Sequence, residues 1–165
     1  MTRFAELPDP VLGPLAGRPQ PDWYRAPPSK WCPAQIVEHL AIGVDWSSRK
    51  FEERRHRAPM TRRPRDLRAR VAYVLLLRLG WWPPGAKAPE GTRPAEHPDR
   101  HGVEQKFREG IARFLDLERA LLPARQHDLF VKHPVLGDLT LGEWLRFHVS
   151  HCQHHAQQIR ERLAT

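Results

Sequence analysis

The chain has 165 residues, a length that suits one domain burying its own core. Its 27 Lys and Arg against 19 Asp and Glu leave a formal charge of +8. No N-terminal apolar run has the length of a secretion signal, so the expected location is the cytoplasm. A membrane span is excluded as well, because the longest apolar stretch, Val71 to Trp82, is only about twelve residues and contains Arg78, where about 20 are needed.

In chain order, residues 1–30 read as a proline-rich arm or a degraded first helix. Breakers recur at Pro8, Pro10, Gly13, Pro14, Gly17, Pro19 and Pro21, too densely for a long helix. The first helix of a bundle is therefore short, or its packing is taken over by the segment around 66–80. A helix is predicted from Pro33 to Arg57, since proline suits a first helical position. Ile36, Val37, Leu40, Val44 and Trp46 form its apolar stripe, with His39 on the edge and Gly43 opening space one turn later. Pro59 and Pro64 interrupt. A second helix covers about Arg65 to Leu79 and ends at Gly80, with Pro83-Pro84 just beyond. Its apolar run reads as a buried helix or a subunit contact, which makes a homodimer one reading.

Residues 83–99 form a Pro/Gly loop, either a lid or a surface connection. Val103, Phe107, Ile111, Phe114, Leu115 and Leu121 recur at helical intervals and predict a helix stopped by Pro123. A short loop or hairpin through Phe130-Val131-Lys132-His133-Pro134 follows. Thr140 with Glu143 three residues on makes a capping box for the last helix.

That helix carries His148, His151, His154 and His155 within two turns. Residues three or four apart share a helix face, so His151 can pair with His148, His154 or His155 on one metal ion. His148 and His155 lie about 10 Å apart along the axis, too far for an easy shared ligand. Every feasible pair contains His151. Zinc needs three protein ligands in a catalytic site and four in a structural one, so a partner must come from elsewhere. His39 is the best candidate, although a histidine alone on an apolar face is by default a core residue bonded to a carbonyl.

The segment WCPAQIVEHL at 31–40, followed by HPVLGDLTLGEWLRFHVSHCQHHAQQI at 133–159, resembles the DinB/YfiT-like family of metal-binding four-helix bundles. The resemblance spans roughly residues 23 to 160 in order and spacing. It implies an all-α fold, a DinB/YfiT-like four-helix bundle with the proline-rich arm at its N-terminus, over a single domain of residues 1–165. It implies a metal triad of His39, His151 and His155, with Gln158 matching the family's glutamine one turn later. Cys32 departs from the serine usual at the helix cap and is a weaker acceptor there.

Candidates for supporting the triad are Gln158, His148, His154, Glu38 and His133. Each has a plain alternative: Gln158 capping a turn, His154 and Glu38 facing solvent, His133 exposed in its loop. Cys32 and Cys152 stay reduced in a cytosol, and Cys152 reads as a small core residue. The basic run from Arg49 to Arg70 is broken by Glu52, Glu53 and Asp66, lacks interleaved aromatics, and reads as a solvated face rather than a nucleic-acid site.

Three neutral histidines leave a divalent ion with its charge uncancelled and a position open to water. Zinc or nickel suits such a set, and manganese or iron also accepts imidazole and water. The first functional reading is a metal-dependent hydrolase or thiol S-transferase acting on a small molecule, with a low-molecular-weight thiol as one substrate. The second is a non-catalytic metal-binding bundle, and the third a basic interaction protein.

Overall fold

The computed structural model describes residues 3–164 other than Pro84, Ala86 and Pro123. The expectations resting on Pro84 and Pro123 lie outside the described residues. The fold is mostly helical, as a DinB-like all-α fold requires. In chain order it comprises α1 (Pro8–Leu12), α2 (Gln20–Tyr24), α3 (Pro33–Arg54), α4 (Leu67–Tyr73), α5 (Arg100–Leu121) and α6 (Leu141–Leu163). A small antiparallel hairpin, β1 (Phe130–His133) and β2 (Gly137–Thr140), precedes α6, with Val131 opposite Leu139.

The N-terminal segment is a broken helix rather than an arm. Single 3-10 turns at Phe4–Glu6 and Gly13–Leu15 flank α1, and the prolines sit at first-turn positions where no N–H is missed. Leu7, Val11, Leu15 and Trp23 are buried, and α1 packs against α5 and α6. The segment therefore contributes its own core face, and residues 66–80 do not replace it.

The long helices α3 and α5 lie against each other. At Gly110 of α5 an added Cβ would come within 2.8 Å of Val44 Cγ1 on α3. A side chain there would force the Val44 side chain aside and crowd the backbone of Asp45 at 3.4 Å. Gln35 compensates for the weak cap at Cys32, its Oε1 accepting from Cys32 N at 3.1 Å. At the start of α6 the expected capping box forms between Thr140 and Glu143.

The predicted second helix differs most from expectation. After α4 the chain continues as a π-helical stretch, Val74–Arg78, and stops at Gly80 with φ +62°. The stretch is not a buried helix. Leu76 is buried, whereas Leu67, Val71, Val74, Leu79 and Trp81 are exposed.

The basic run is largely engaged in holding the chain together. Arg62 and Arg65 converge on the buried Glu143, Arg63 pairs with the buried Asp138, and Arg65 also donates to the carbonyls of Leu136 and Asp138. These ties fasten the irregular strand of chain at 60–66 onto the hairpin and the N-terminus of α6. Among the described residues no helix is long and apolar enough to cross a membrane.

Candidate metal centre

Two helices bring three imidazoles to one point. His39 comes from the second turn of α3, and His151 and His155 lie one turn apart on α6. The Nε2 atom of His151 is 3.2 Å from Nε2 of His39 and 3.0 Å from Nε2 of His155. Two nitrogens bound to one zinc ion at about 2.0–2.1 Å stand roughly 2.9–3.4 Å apart for bond angles between square and tetrahedral. The spacing fits an ion.

The outward-facing nitrogens are held as well. Nδ1 of His39 donates to the Thr92 carbonyl at 2.7 Å, and Nδ1 of His155 donates to Gln158 Oε1 at 2.8 Å. Each bond leaves the Nε2 of a neutral ring as a bare lone pair, which is the tautomer a metal requires. The Nε2 of His151 can offer one proton at most, so the two N···N contacts cannot both be hydrogen bonds between neutral rings. Adding protons is opposed by burial, which lowers the pKa of His39 and pushes His155 down to about 3. His151 is also held well below its ordinary value, by burial first and by the neighbouring histidines second. A cation at this point would satisfy all three lone pairs. The three histidines could thus hold a metal ion.

The triad opens on a cavity of about 980 Å³. Trp82 forms part of its wall, stacked on His151 at 4.9 Å and on His154 at 5.3 Å. The indole is fixed by donating to Ser150 Oγ at 3.0 Å, and that hydroxyl donates in turn to the Leu76 carbonyl in the π-helical stretch. Gly43 and Trp46 line the cavity as its sequence neighbourhood suggests, and nothing lies within 4 Å of where a Gly43 Cβ would be.

A family model for the DinB superfamily matches residues 4–159. The chain belongs to the DinB superfamily. Comparison with curated proteins and with solved structures gives no match.

Around the centre of this DinB protein the other singled-out residues divide sharply. Gln158 touches His155 through Oε1 and faces His154 Nε2 through its amide nitrogen at 3.1 Å, so it is not merely capping a turn. His154 is half-buried beneath Trp82 rather than solvated. His148 lies behind the triad, its Nε2 against Ser47 Oγ at 2.9 Å and its Nδ1 buried without a hydrogen-bond partner among the described residues.

Glu38 is partly exposed and is engaged by the 83–99 loop rather than by the triad. Its carboxylate accepts from Ala95 N at 2.6 Å, beside Gln35, whose amide donates to the carbonyls of Ala95 and Glu96. Together they fasten the 83–99 loop to α3, and the same loop supplies the Thr92 carbonyl to His39. His133 is not exposed. It is buried against Phe147, and its Nδ1 accepts from the backbone N–H groups of Val135 and Leu136 across the hairpin turn. Burial pushes its pKa down to about 4, which leaves it neutral and poorly suited to carrying protons at pH 7. Cys152 is fully buried, and burial raises its thiol pKa, as expected of a core residue.

Thr92, Ser47 and the role of Trp82 escape sequence reasoning. Thr92 acts through a backbone carbonyl, which has no side-chain signature. Ser47 lies on the α3 stripe as an ordinary helical serine, and Trp82 only acquires its partner through the turn at Gly80.

Proposed function

We propose that this DinB protein is a metal-dependent enzyme acting on a small molecule, of hydrolase or thiol S-transferase type. His39, His151 and His155 serve as ligands for zinc or nickel, and manganese or iron fits the same donors. The observation carrying this reading is that the three lone pairs converge at the wall of a cavity large enough for a substrate. Small-molecule pockets typically measure about 300–1,000 Å³.

When bound, a divalent ion on three neutral ligands supplies a Lewis acid that draws the pKa of water, or of a thiol, towards neutrality. The chain's own residues do the remaining work. Thr92 and Gln158 fix the tautomer and orientation of two ligand rings. Trp82 covers the flank of His151 and keeps water from that side. Gly43 leaves the room a substrate needs beside His39. The reading takes residues 1–165 as one domain in the cytoplasm, with both cysteines reduced and a low-molecular-weight thiol as one eligible substrate. A homodimer formed over the exposed Leu67, Val71 and Val74 is compatible with it.

Cobalt substitution tests the proposal. A catalytic ion takes up azide or a small thiol, and its visible absorption shifts on titration. A cobalt spectrum indifferent to both ligands converts the reading to a non-catalytic metal-binding bundle.

A further inference from the structure

The cavity's charge is one-sided. Lys30, Arg68, Lys87 and Arg93 line it together with Arg162, which donates to the Trp31 carbonyl, and the lining contains no Asp or Glu among the described residues. None of the first four side chains forms an ion pair with a described carboxylate, whereas Arg62, Arg63 and Arg65 nearby are all committed to Glu143 or Asp138. Arg68 is directed there by helix geometry, since it stands one turn before Ala72 on α4 and both line the cavity. The ligand set adds no negative charge, because all three triad members are neutral imidazoles. A cleft with walls of one sign and low-dielectric lining concentrates counter-charge.

Much of the remaining lining is aromatic. Trp31, Trp46, Trp82, Trp144 and Phe147 all belong to it, with Trp31 5.1 Å from His39 and Phe147 stacked on His151 at 5.2 Å. Flat rings offer stacking surface to a planar apolar body.

From this arrangement we infer the substrate class: an organic carboxylate with a flat, aromatic or conjugated body. The body lies between the tryptophans beside the triad, and the carboxylate is held by Arg68 and Lys87 at the mouth. The inference rests on the proposed use of the cavity as a small-molecule site, but it does not require the metal to be bound.

Isosteric probes separate charge from shape. 2-Naphthoate and neutral 2-naphthamide are titrated by calorimetry into metal-free protein and into zinc-loaded protein at low salt. The acid is expected to bind about tenfold tighter than the amide in both forms, as two or more exposed ionic contacts allow. The preference is expected to fall below about threefold in an Arg68→Gln/Lys87→Gln double variant, whose zinc stoichiometry and thermal midpoint stay at the wild-type values. Higher ionic strength is expected to erode it too. Equal affinities for acid and amide in the metal-free protein overturn the inference. So does a preference appearing only with zinc and surviving the double variant, since the carboxylate would then be going to the ion. A protein that binds no zinc yet prefers the acid refutes the metal proposal and leaves this one standing.

Discussion

The carbonyl of Thr92 holds His39 from behind, accepting its Nδ1–H at 2.7 Å across 53 positions of sequence. One face of the metal centre is thus set by a loop, and that loop is set by Glu38 and Gln35 from the helix His39 itself stands on.

Glu38→Ala is therefore expected to weaken zinc binding although Glu38 touches no triad atom. Outer contacts of this kind typically change affinity by about 10–100-fold, and an indirect one belongs at the lower end. Competition with a chromophoric chelator at pH 7.5 measures it. Unchanged affinity would show that the loop holds Thr92 without this tie.

Gln158→Ala acts on the opposite face, removing the acceptor for His155 Nδ1–H. A loss of about tenfold or more in zinc affinity is expected, with Gln158→Glu retaining tight binding because a carboxylate accepts the same bond. Identical affinities for alanine and glutamate variants would contradict the assigned tautomer.

Among the α6 histidines, His151→Ala is expected to abolish stoichiometric metal at neutral pH. His154→Ala is expected to retain it, because the Nε2 of His154 faces Gln158 rather than the point where the triad nitrogens converge. Metal analysis of untagged protein discriminates the two. Equal retention by both would remove His151 from the centre.

Acid should destabilise the metal-free fold through histidines outside the triad as well. Burial pushes His148 down to about 3 and His133 down to about 4, from an ordinary value of 6.5. Between pH 6.5 and those values the unfolded chain takes up protons that the folded chain refuses. Stability is therefore complete above about 6.5 and declines as pH falls. Each histidine contributes roughly 2 kcal/mol of loss between pH 7 and pH 5. Urea midpoints at the two pH values test this, and His148→Gln is expected to flatten the dependence. A variant with the wild-type slope would remove His148 as a source.

Gly110→Leu is expected to cost several kcal/mol, since overpacking here meets both the Val44 side chain and, at 3.4 Å, the backbone of Asp45. Thermal unfolding checks it. A midpoint within a degree or two of wild type would mean that α3 and α5 separate easily.

The parts of the molecule readable from sequence are those governed by local spacing. His151 and His155 share a face because α6 is a regular helix begun by Thr140 and Glu143, and the resemblance of residues 31–40 to the family added His39. What was not readable depends on where other segments come to rest. Glu38 reads as solvated until the 83–99 loop lies over it, and His133 reads as exposed until the hairpin folds its ring under Phe147. The apolar run at 71–82 shows the converse. Hydropathy alone suggests burial, but Val71 on α4 and Val74 at the start of the π-helical stretch face outward, and Leu76 faces in. Residues 1–30 illustrate a third case: proline frequency correctly rules out one long helix, yet single turns are enough to seat Leu7, Val11 and Leu15 in the core.

His39 and His151 stand 112 positions apart. An ion bound by both is, for the unfolded chain, a cross-link closing most of the sequence into a ring. In the chain-entropy account a covalent bridge around a loop of about 100 residues is worth roughly 4–5 kcal/mol, and a metal bridge works in the same direction for as long as it persists. Most of α3, the whole of α4 and α5, and the hairpin lie within that ring. Loading the centre would therefore restrict how far those elements can stray from one another, even where they never come near the ion.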